Sequence, residues 1–381
     1  MRVLYIIDKM QNYAGIERIL SCKMNYIAER TPHNVFLTTY DQQSQNLPFQ
    51  LNENVSYTPI HVPMPLREKM TFCSWLKDYL LARNQFKCQF RTLLNNLKPD
   101  IVICTVYSFQ VLDIIINLCH KIGVKTILES HTKGETVMMA HKFNYNRHLH
   151  KFISLWDHHI MKSLRHFSCV VTLTRQDAPF WQRYAQRIEV IPNMLTITPQ
   201  KVLNYGTKRV ISAGRYMSEK GFDRLLKAWR LINNDFCDWE LYIYGNGDRI
   251  PYQKTADKLQ LGEHVHLMPA TQDIAEEFAK SSIYVMSSRY EGFGLVLAEA
   301  MSCGLPCVSF DCPYGPREII TNGEDGLLAK DGDIEDLAEK LEQLMYDEEV
   351  RKNMGAKAIH NMNRFKPEFI MNLWINLFNS I

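Results

Sequence analysis

Ser287-Ser288-Arg289-Tyr290-Glu291-Gly292-Phe293-Gly294-Leu295-Val296-Leu297-Ala298-Glu299-Ala300-Met301 is the stretch on which the fold turns. Just before it, Ile283 to Met286 is a short apolar run that reads as a buried parallel strand. Gly292 and Gly294 predict a tight turn, and Leu295 to Met301 has the composition of a helix start. Strand, turn and helix in that order put Glu291 in the turn and Glu299 more than one turn into the helix. The helix N-terminus between them offers unpaired N–H groups and a positive end suited to a phosphate. One carboxylate is then placed for a sugar hydroxyl on one side of a diphosphate, the other for a ribose diol on the far side. Spacing alone leaves a second reading open, in which both glutamates are solvent-facing residues of an ordinary doubly wound domain.

The sequence from Ser288 through Cys303-Gly304-Leu305-Pro306-Cys307-Val308 closely resembles the signature of the retaining GT-B glycosyltransferases of family GT4. The likeness continues through Gly315-Pro316-Arg317-Glu318-Ile319-Ile320 and Asn322-Gly323-Glu324-Asp325-Gly326-Leu327-Leu328, and more weakly over nearly the whole chain. The resemblance implies an α/β protein of two Rossmann-like doubly wound domains facing across a cleft. It also implies transfer of a hexosyl or N-acetylhexosaminyl residue from a nucleotide diphosphate sugar, a UDP-sugar first, with retention of anomeric configuration. The acceptor expected is a glycan, lipid-linked, in the synthesis of cell-surface polysaccharide, lipopolysaccharide or glycoprotein glycans. Two rivals are a noncatalytic sugar-nucleotide-binding protein and a phosphorylase-like enzyme of the same architecture.

A length of 381 residues is too great for one ordinary core and fits two domains. The expected division is 1–195, completed by a C-terminal helix over 366–381, and 206–365. A hydrophobic content of 46% with 22% charged residues is that of a soluble globular protein, and no apolar run reaches bilayer length. Met1-Arg2 leads directly into a strand without a signal-peptide pattern, so a cytoplasmic location is expected. The ten cysteines show no repeated paired spacing and read as buried thiols of a reducing compartment. The net charge of +3 hides an asymmetry: residues 1–200 carry 23 Lys/Arg against 14 Asp/Glu, residues 201–381 carry 21 against 27. The two halves are therefore expected to meet different partners.

In the first half, Val3 to Ile7 reads as the opening strand, followed by the loop Tyr13-Ala14-Gly15. This loop resembles the family's glycine-rich first loop, with Ala14 in place of the first glycine; Gly15 then supplies the close backbone approach to donor and acceptor. Lys125 to Leu128 is a further strand, ending in Glu129-Ser130-His131-Thr132. A histidine just past a strand's C-terminal end sits where doubly wound folds place ligands. The resemblance places His131 over the donor sugar. Residues 67–98 and 141–166 are helical regions with interleaved basic and aromatic residues, which can lie on an anionic membrane surface or pack as ordinary solvated helices. Peripheral attachment to the inner face of the plasma membrane is the partner reading they suggest, and nucleic acid is not expected because no recognised module accompanies the charge.

In the second half, Arg209 to Ala213 is a strand, followed by Gly214-Arg215-Tyr216-Met217-Ser218-Glu219-Lys220-Gly221. Two cations in one turn bracketed by glycines can converge on a diphosphate. The resemblance assigns Arg215 and Lys220 to that group, Glu291 to the sugar ring and Glu299 to the ribose. Gly245, Pro269, Gly294 and Leu295 fall in loops that the resemblance lays along the nucleotide. Asp331-Gly332-Asp333 superficially spells the Asp-x-Asp of metal-dependent transferases, but its place before a helix predicts a turn and an N-cap. No metal and no cofactor are expected. Phe365 to Ile381 predicts a helix with Phe369, Leu373, Trp374, Leu377 and Phe378 on its apolar face.

Overall fold

The computed structural model describes residues 1–11, 15–42, 46–65, 71–105, 110–135, 162–197, 199 and 203–381. It forms two compact units: unit 1 is Met1–Pro192 with Ile370–Ile381, and unit 2 is Asn193–Phe369.

Unit 1 holds β1 (Arg2–Ile7), β2 (Asn34–Thr39), β3 (Val55–Tyr57), β4 (Ile101–Thr105), β5 (Lys125–Ser130), β6 (Cys169–Thr172) and β7 (Ile188–Val190). They make one parallel sheet in the order β3-β2-β1-β4-β5-β6-β7. β1 and β4 are near-continuous apolar runs because a parallel sheet with helices on both faces buries alternate residues equally. β3 ends at Tyr57, yet the Thr58 and Ile60 amides still donate to Leu37 and Thr39 carbonyls at 2.9 and 2.6 Å.

The helix Phe72–Leu97 starts where the Thr71 side chain accepts from the Ser74 amide, and Lys98 closes it in the left-handed region at φ +43°. Its Tyr79, Phe86 and Phe90 belong to the core of unit 1 with Leu4, Val102 and Ile115. Of the two readings of its aromatics, packing in the core is the one that holds for these three, and among the described residues the exposed large apolar side chains of this helix are Leu76, Leu80 and Leu81. Most of the second basic stretch, 141–166, lies outside the described residues, as do Tyr13 and Ala14 of the first loop.

The helix Pro367–Ser380 corrects the expected apolar face. Ile370, Met371, Trp374, Leu377 and Phe378 are buried, whereas Phe369 and Leu373 are 59% and 44% exposed. The buried set follows the i, i+4, i+7, i+8 stripe of a helix lying on a core.

Unit 2 holds β8 (Arg209–Ala213), β9 (Glu240–Gly245), β10 (Val265–Pro269), β11 (Ile283–Met286), β12 (Cys307–Phe310) and β13 (Gly326–Ala329). This second parallel sheet runs β10-β9-β8-β11-β12-β13. Both sheets are Rossmann-like, and the pair defines the GT-B class. Asp333 caps the helix Ile334–Tyr346 by accepting from the Asp336 amide, and Gly332 turns at φ +75°. The cysteines are not uniformly buried as expected: Cys73, Cys88 and Cys237 are exposed, while the six at 104, 119, 169, 303, 307 and 312 are buried. Among the described residues no helix is long and apolar enough to cross a membrane.

Candidate active site

An open parallel sheet binds ligands beyond the strand C-termini where the strand order reverses. In unit 2 that reversal falls between β8 and β11. The loop after β8 carries Arg215 and Lys220, and the loop after β11 carries Glu291.

The two loops are fastened together. Gly221 adopts φ +63°, and a Cβ there would meet the Ser287 carbonyl oxygen at 2.0 Å, so only glycine allows this approach. The Ser287 hydroxyl donates to the Lys220 carbonyl at 2.9 Å, and the Arg289 amide donates to the Glu219 carbonyl at 2.8 Å. The Arg289 guanidinium grips Asp223 with two bonds of 2.8 Å and also donates to the Ser218 carbonyl at 2.6 Å. Its bidentate hold keeps the Asp223 carboxyl below its ordinary value against the opposing effect of burial.

Lys220 Nζ thereby reaches Glu291 Oε1 at 2.7 Å, and the Ser288 hydroxyl donates to the same oxygen at 2.6 Å. Arg215 lies in the same turn with its side chain 62% exposed and pairs with Glu219 at 3.0 Å. Arg215 and Lys220 thus come from one turn, and Lys220 meets the Glu291 carboxylate directly.

Gly294 is the N-cap of the helix Leu295–Ser302 at φ +94°. Glu299 lies inside that helix and is fully buried; its Oε1 accepts from the Thr196 hydroxyl. On the other side of the turn, Gly315 has φ +126°, and a Cβ there would meet the Phe293 carbonyl oxygen at 2.2 Å. Gly245 ends β9 so close to β8 that a Cβ would meet the Gly214 carbonyl oxygen at 1.9 Å. Pro269 ends β10 and is exposed. Gly214, Gly245, Pro269 and Glu291 therefore all stand at or just past the C-terminal ends of adjacent or near-adjacent strands.

In unit 1 the order reverses between β1 and β4. Gly15 begins the helix Gly15–Arg30 that follows β1. Glu129 and His131 lie at and just past the end of β5, two residues apart and so on one face of the strand. His131 Nε2 is 3.1 Å from Glu129 Oε1, and Lys23 Nζ from the first helix is 2.5 Å from the same oxygen. The side chains of all three are at most 2% exposed. Burial alone would raise the Glu129 carboxyl, but the charges and hydrogen bonds of Lys23 and His131 hold it at about 2. Burial lowers the Lys23 ammonium, which Glu129 partly offsets. The Lys23 ammonium also sits 3.5 Å from the centre of the Trp374 ring, a cation–π contact in a dry setting.

Among the described residues no group of three or more His, Cys, Asp and Glu is arranged to hold a metal ion.

Residues 195–361 match the family described as glycosyl transferases group 1. The chain is related to the group 1 glycosyltransferases. It is 33% identical over 209 residues to an uncharacterized glycosyltransferase of Haemophilus influenzae, covering 54% of this chain and 59% of that protein. The chain thus spans well under two thirds of that relative's length. It is also similar over 99% of both chains, at 25% identity, to the amylovoran biosynthesis glycosyltransferase AmsD of Erwinia amylovora. The solved sucrose-phosphate synthase of Thermosynechococcus elongatus matches all of both chains with a TM-score of 0.78 at 17% identity, a likeness of fold.

Within the group 1 signature, the motif alone did not reveal Thr196, Ser288, Asp223 or Arg289. Ser288 and Arg289 stand in the quoted stretch; Ser288 bonds Glu291 three residues on, whereas the partners of Arg289 lie elsewhere in the sequence. Asp223 and Arg289 are 66 residues apart, and Thr196 and Glu299 are 103 apart. Lys23 is further still from its partner, 106 residues from Glu129. The one signal available for that pair was Glu129 itself, a carboxylate at the end of an apolar strand, which needs a buried cation.

Proposed function

We propose that the protein is a retaining glycosyltransferase that moves a hexosyl or N-acetylhexosaminyl residue from a UDP-sugar to a glycan acceptor in cell-surface polysaccharide or lipopolysaccharide synthesis. The observation that carries this reading is the Arg215–Lys220 turn fastened beside Glu291 at the β8/β11 switch point, with Lys220 Nζ 2.7 Å from Glu291. Without a donor the cation and the carboxylate neutralise each other. A bound donor gives each its own partner: the diphosphate takes Lys220, and a sugar hydroxyl takes Glu291.

As the glycosidic bond breaks, negative charge grows on the departing diphosphate. Arg215, Lys220 and the N–H groups at Gly294 and Leu295 oppose that charge, and interactions that strengthen toward the transition state are those that accelerate the step. Glu299 binds the ribose diol in exchange for Thr196, Gly245 and Pro269 border the base, and His131 contacts the donor sugar. Gly15 lets the chain approach donor and acceptor. Retention follows from attack on the same face that the leaving group vacates. The cations supply the charge that a metal supplies elsewhere, so turnover is metal-independent.

The full-length likeness to AmsD, whose name places it in amylovoran biosynthesis, supports a polysaccharide acceptor. A lipid-linked acceptor at the inner face of the membrane fits the basic balance of residues 1–200. The test is calorimetry against UDP- and GDP-sugars, followed by release of nucleoside diphosphate with and without acceptor extract and chelator. Tight binding of one UDP-sugar with acceptor-stimulated, chelator-resistant release is expected. Binding without release assigns the chain to noncatalytic sugar-nucleotide binding, and no binding of any nucleotide sugar overturns the reading.

A further inference from the structure

A buried ion pair is expensive. Two charges leave water, and their attraction repays the cost only when geometry and further hydrogen bonds are favourable. Apolar residues of similar volume would stabilise unit 1 at least as well as Lys23 and Glu129. The pair nevertheless lies under the one histidine that stands at the ligand-binding end of β5. Glu129 Oε1 is shared between Lys23 Nζ at 2.5 Å and His131 Nε2 at 3.1 Å, and Thr105 Oγ1 lies 3.5 Å from the other carboxylate oxygen. The Tyr5 ring lies 5.8 Å from the Lys23 ammonium and the Trp374 ring 3.5 Å. Both ring nitrogens of His131 are buried and neither makes a well-aligned hydrogen bond among the described residues; Nε2 is the one beside the carboxylate, and Nδ1 has no charged group beside it among those residues.

We propose that Glu129 is a positioning residue for His131: its carboxylate, anchored by Lys23, fixes the imidazole with its proton on Nε2 and leaves Nδ1 as an acceptor for a hydroxyl of the donor sugar. The inference rests on the reading of His131 as a residue that contacts the donor. The chemistry is that of a histidine whose tautomer is chosen by what the far nitrogen touches. An ionised carboxylate accepts and cannot donate, so the nitrogen facing it carries the hydrogen. Lys23 keeps that carboxylate ionised and stops it from turning away. Trp374 and Tyr5 wall the ammonium off from water, so the carboxylate does not exchange Lys23 for solvent. Glu129 itself touches no substrate and acts only through the ring.

Two measurements on the full-length protein test this. The first needs no donor. The ring-nitrogen NMR signals of His131, assigned by their absence in His131→Ala, report the tautomer directly. Wild type is expected to show the Nε2–H form, and Glu129→Gln a mixture or the other tautomer. An unchanged His131 signal in a folded Glu129→Gln protein overturns the proposal.

The second is release of UDP from UDP-glucose and UDP-N-acetylglucosamine by wild type, Glu129→Gln, His131→Ala and the double variant. Loss of a group that orients a functional histidine costs about 10–100-fold in kcat by analogy with the outer partners of metal-bound histidines. The effect is expected in kcat rather than KM, and the double variant should be no slower than His131→Ala alone. Multiplied losses in the double variant show Glu129 acting independently of the ring and overturn the proposal. A wild-type rate in His131→Ala instead sinks the reading of His131 as a donor contact, whatever the NMR result. Glu129→Gln leaves Lys23 charged and unpaired, so Lys23→Met/Glu129→Gln removes both charges and serves as the background if the single variant does not fold. In that background adding His131→Ala should change the rate less than about threefold, since the ring is already free.

Discussion

At the scale of single residues, the two glutamates of the signature sit in different environments and should fail differently when changed. Glu291 is buried in its loop, where it shares Lys220 and Ser288, whereas Glu299 is fully buried inside its helix and holds Thr196. On the proposed assignment Glu299→Ala removes up to two charge-assisted bonds to a ribose and should weaken UDP binding by about 2–4 kcal/mol. Glu291→Gln should keep most UDP affinity while cutting turnover more than roughly tenfold, because the proposed partner of Glu291 is the sugar. Titration calorimetry with UDP beside steady-state rates separates the two; equal losses in both variants would show the roles misassigned.

Glu129 adds a pH signature. Its folded pKa of about 2 lies below the ordinary carboxyl value of 4.5. A depressed carboxylate contributes stability above its unfolded pKa, and the contribution is lost as the pH falls through the folded one. Wild type should therefore lose melting temperature between about pH 4.5 and 2 more steeply than Glu129→Gln, which has no group to protonate there. Parallel curves from thermal melts across that range would show that Glu129 is not held ionised by its neighbours.

At the scale of elements, the turn after β8 shows what one missing side chain does. Gly221 combines a left-handed backbone with a Cβ position only 2.0 Å from the Ser287 carbonyl oxygen. Gly221→Ala should destabilise unit 2 by about 2–3 kcal/mol, since both strain and a backbone clash are introduced. The turn must then leave β11, taking Lys220 away from Glu291, so UDP affinity should fall along with the melting temperature. A variant with wild-type melting and wild-type UDP affinity would show that the two loops need not touch.

Much of this was legible in the sequence because it is local. The strand–turn–helix reading of 283–302 follows from an apolar run, two glycines and a helix-forming septet, and the structure places β11, Gly294 and the helix Leu295–Ser302 there. The Asp331-Gly332-Asp333 turn and cap was equally local. What escaped was set by tertiary partners. The apolar face of Pro367–Ser380 was misread because Phe369 and Leu373 share helical spacing with Trp374 and Leu377, and only the surface beneath the helix selects Ile370 and Met371 instead. The aromatic rows of Phe72–Leu97 look alike whether they face a membrane or a sheet, and Tyr79, Phe86 and Phe90 face the sheet.

At the scale of the whole molecule, the charge balance remains the feature that points to a surface. The excess of Lys and Arg in residues 1–200 and of Asp and Glu in 201–381 favours approach to an anionic bilayer by the first part alone. Each well-placed cation contributes about 1 kcal/mol near such a surface. With Tyr79, Phe86 and Phe90 committed to the core, attachment should be chiefly electrostatic and weaken sharply with salt. Co-sedimentation with vesicles of rising anionic lipid content should show binding at low salt that largely disappears near 0.15 M, as screening requires. No binding to anionic vesicles at low salt would remove the membrane reading.

The body of the helix Pro367–Ser380 belongs to unit 1, although residues 193–369 separate it from the rest of that unit. On a ribosome adding about 5–20 residues each second, the wait between Pro192 and Ile370 is roughly 10–35 s. For that interval the nascent first sheet has no Trp374 over Lys23, and the surface that Ile370, Met371 and Leu377 will cover is bare. Unit 2 can finish folding first, although its synthesis begins second. The half-made protein is therefore exposed to proteases and to sticking partners throughout the synthesis of its second unit.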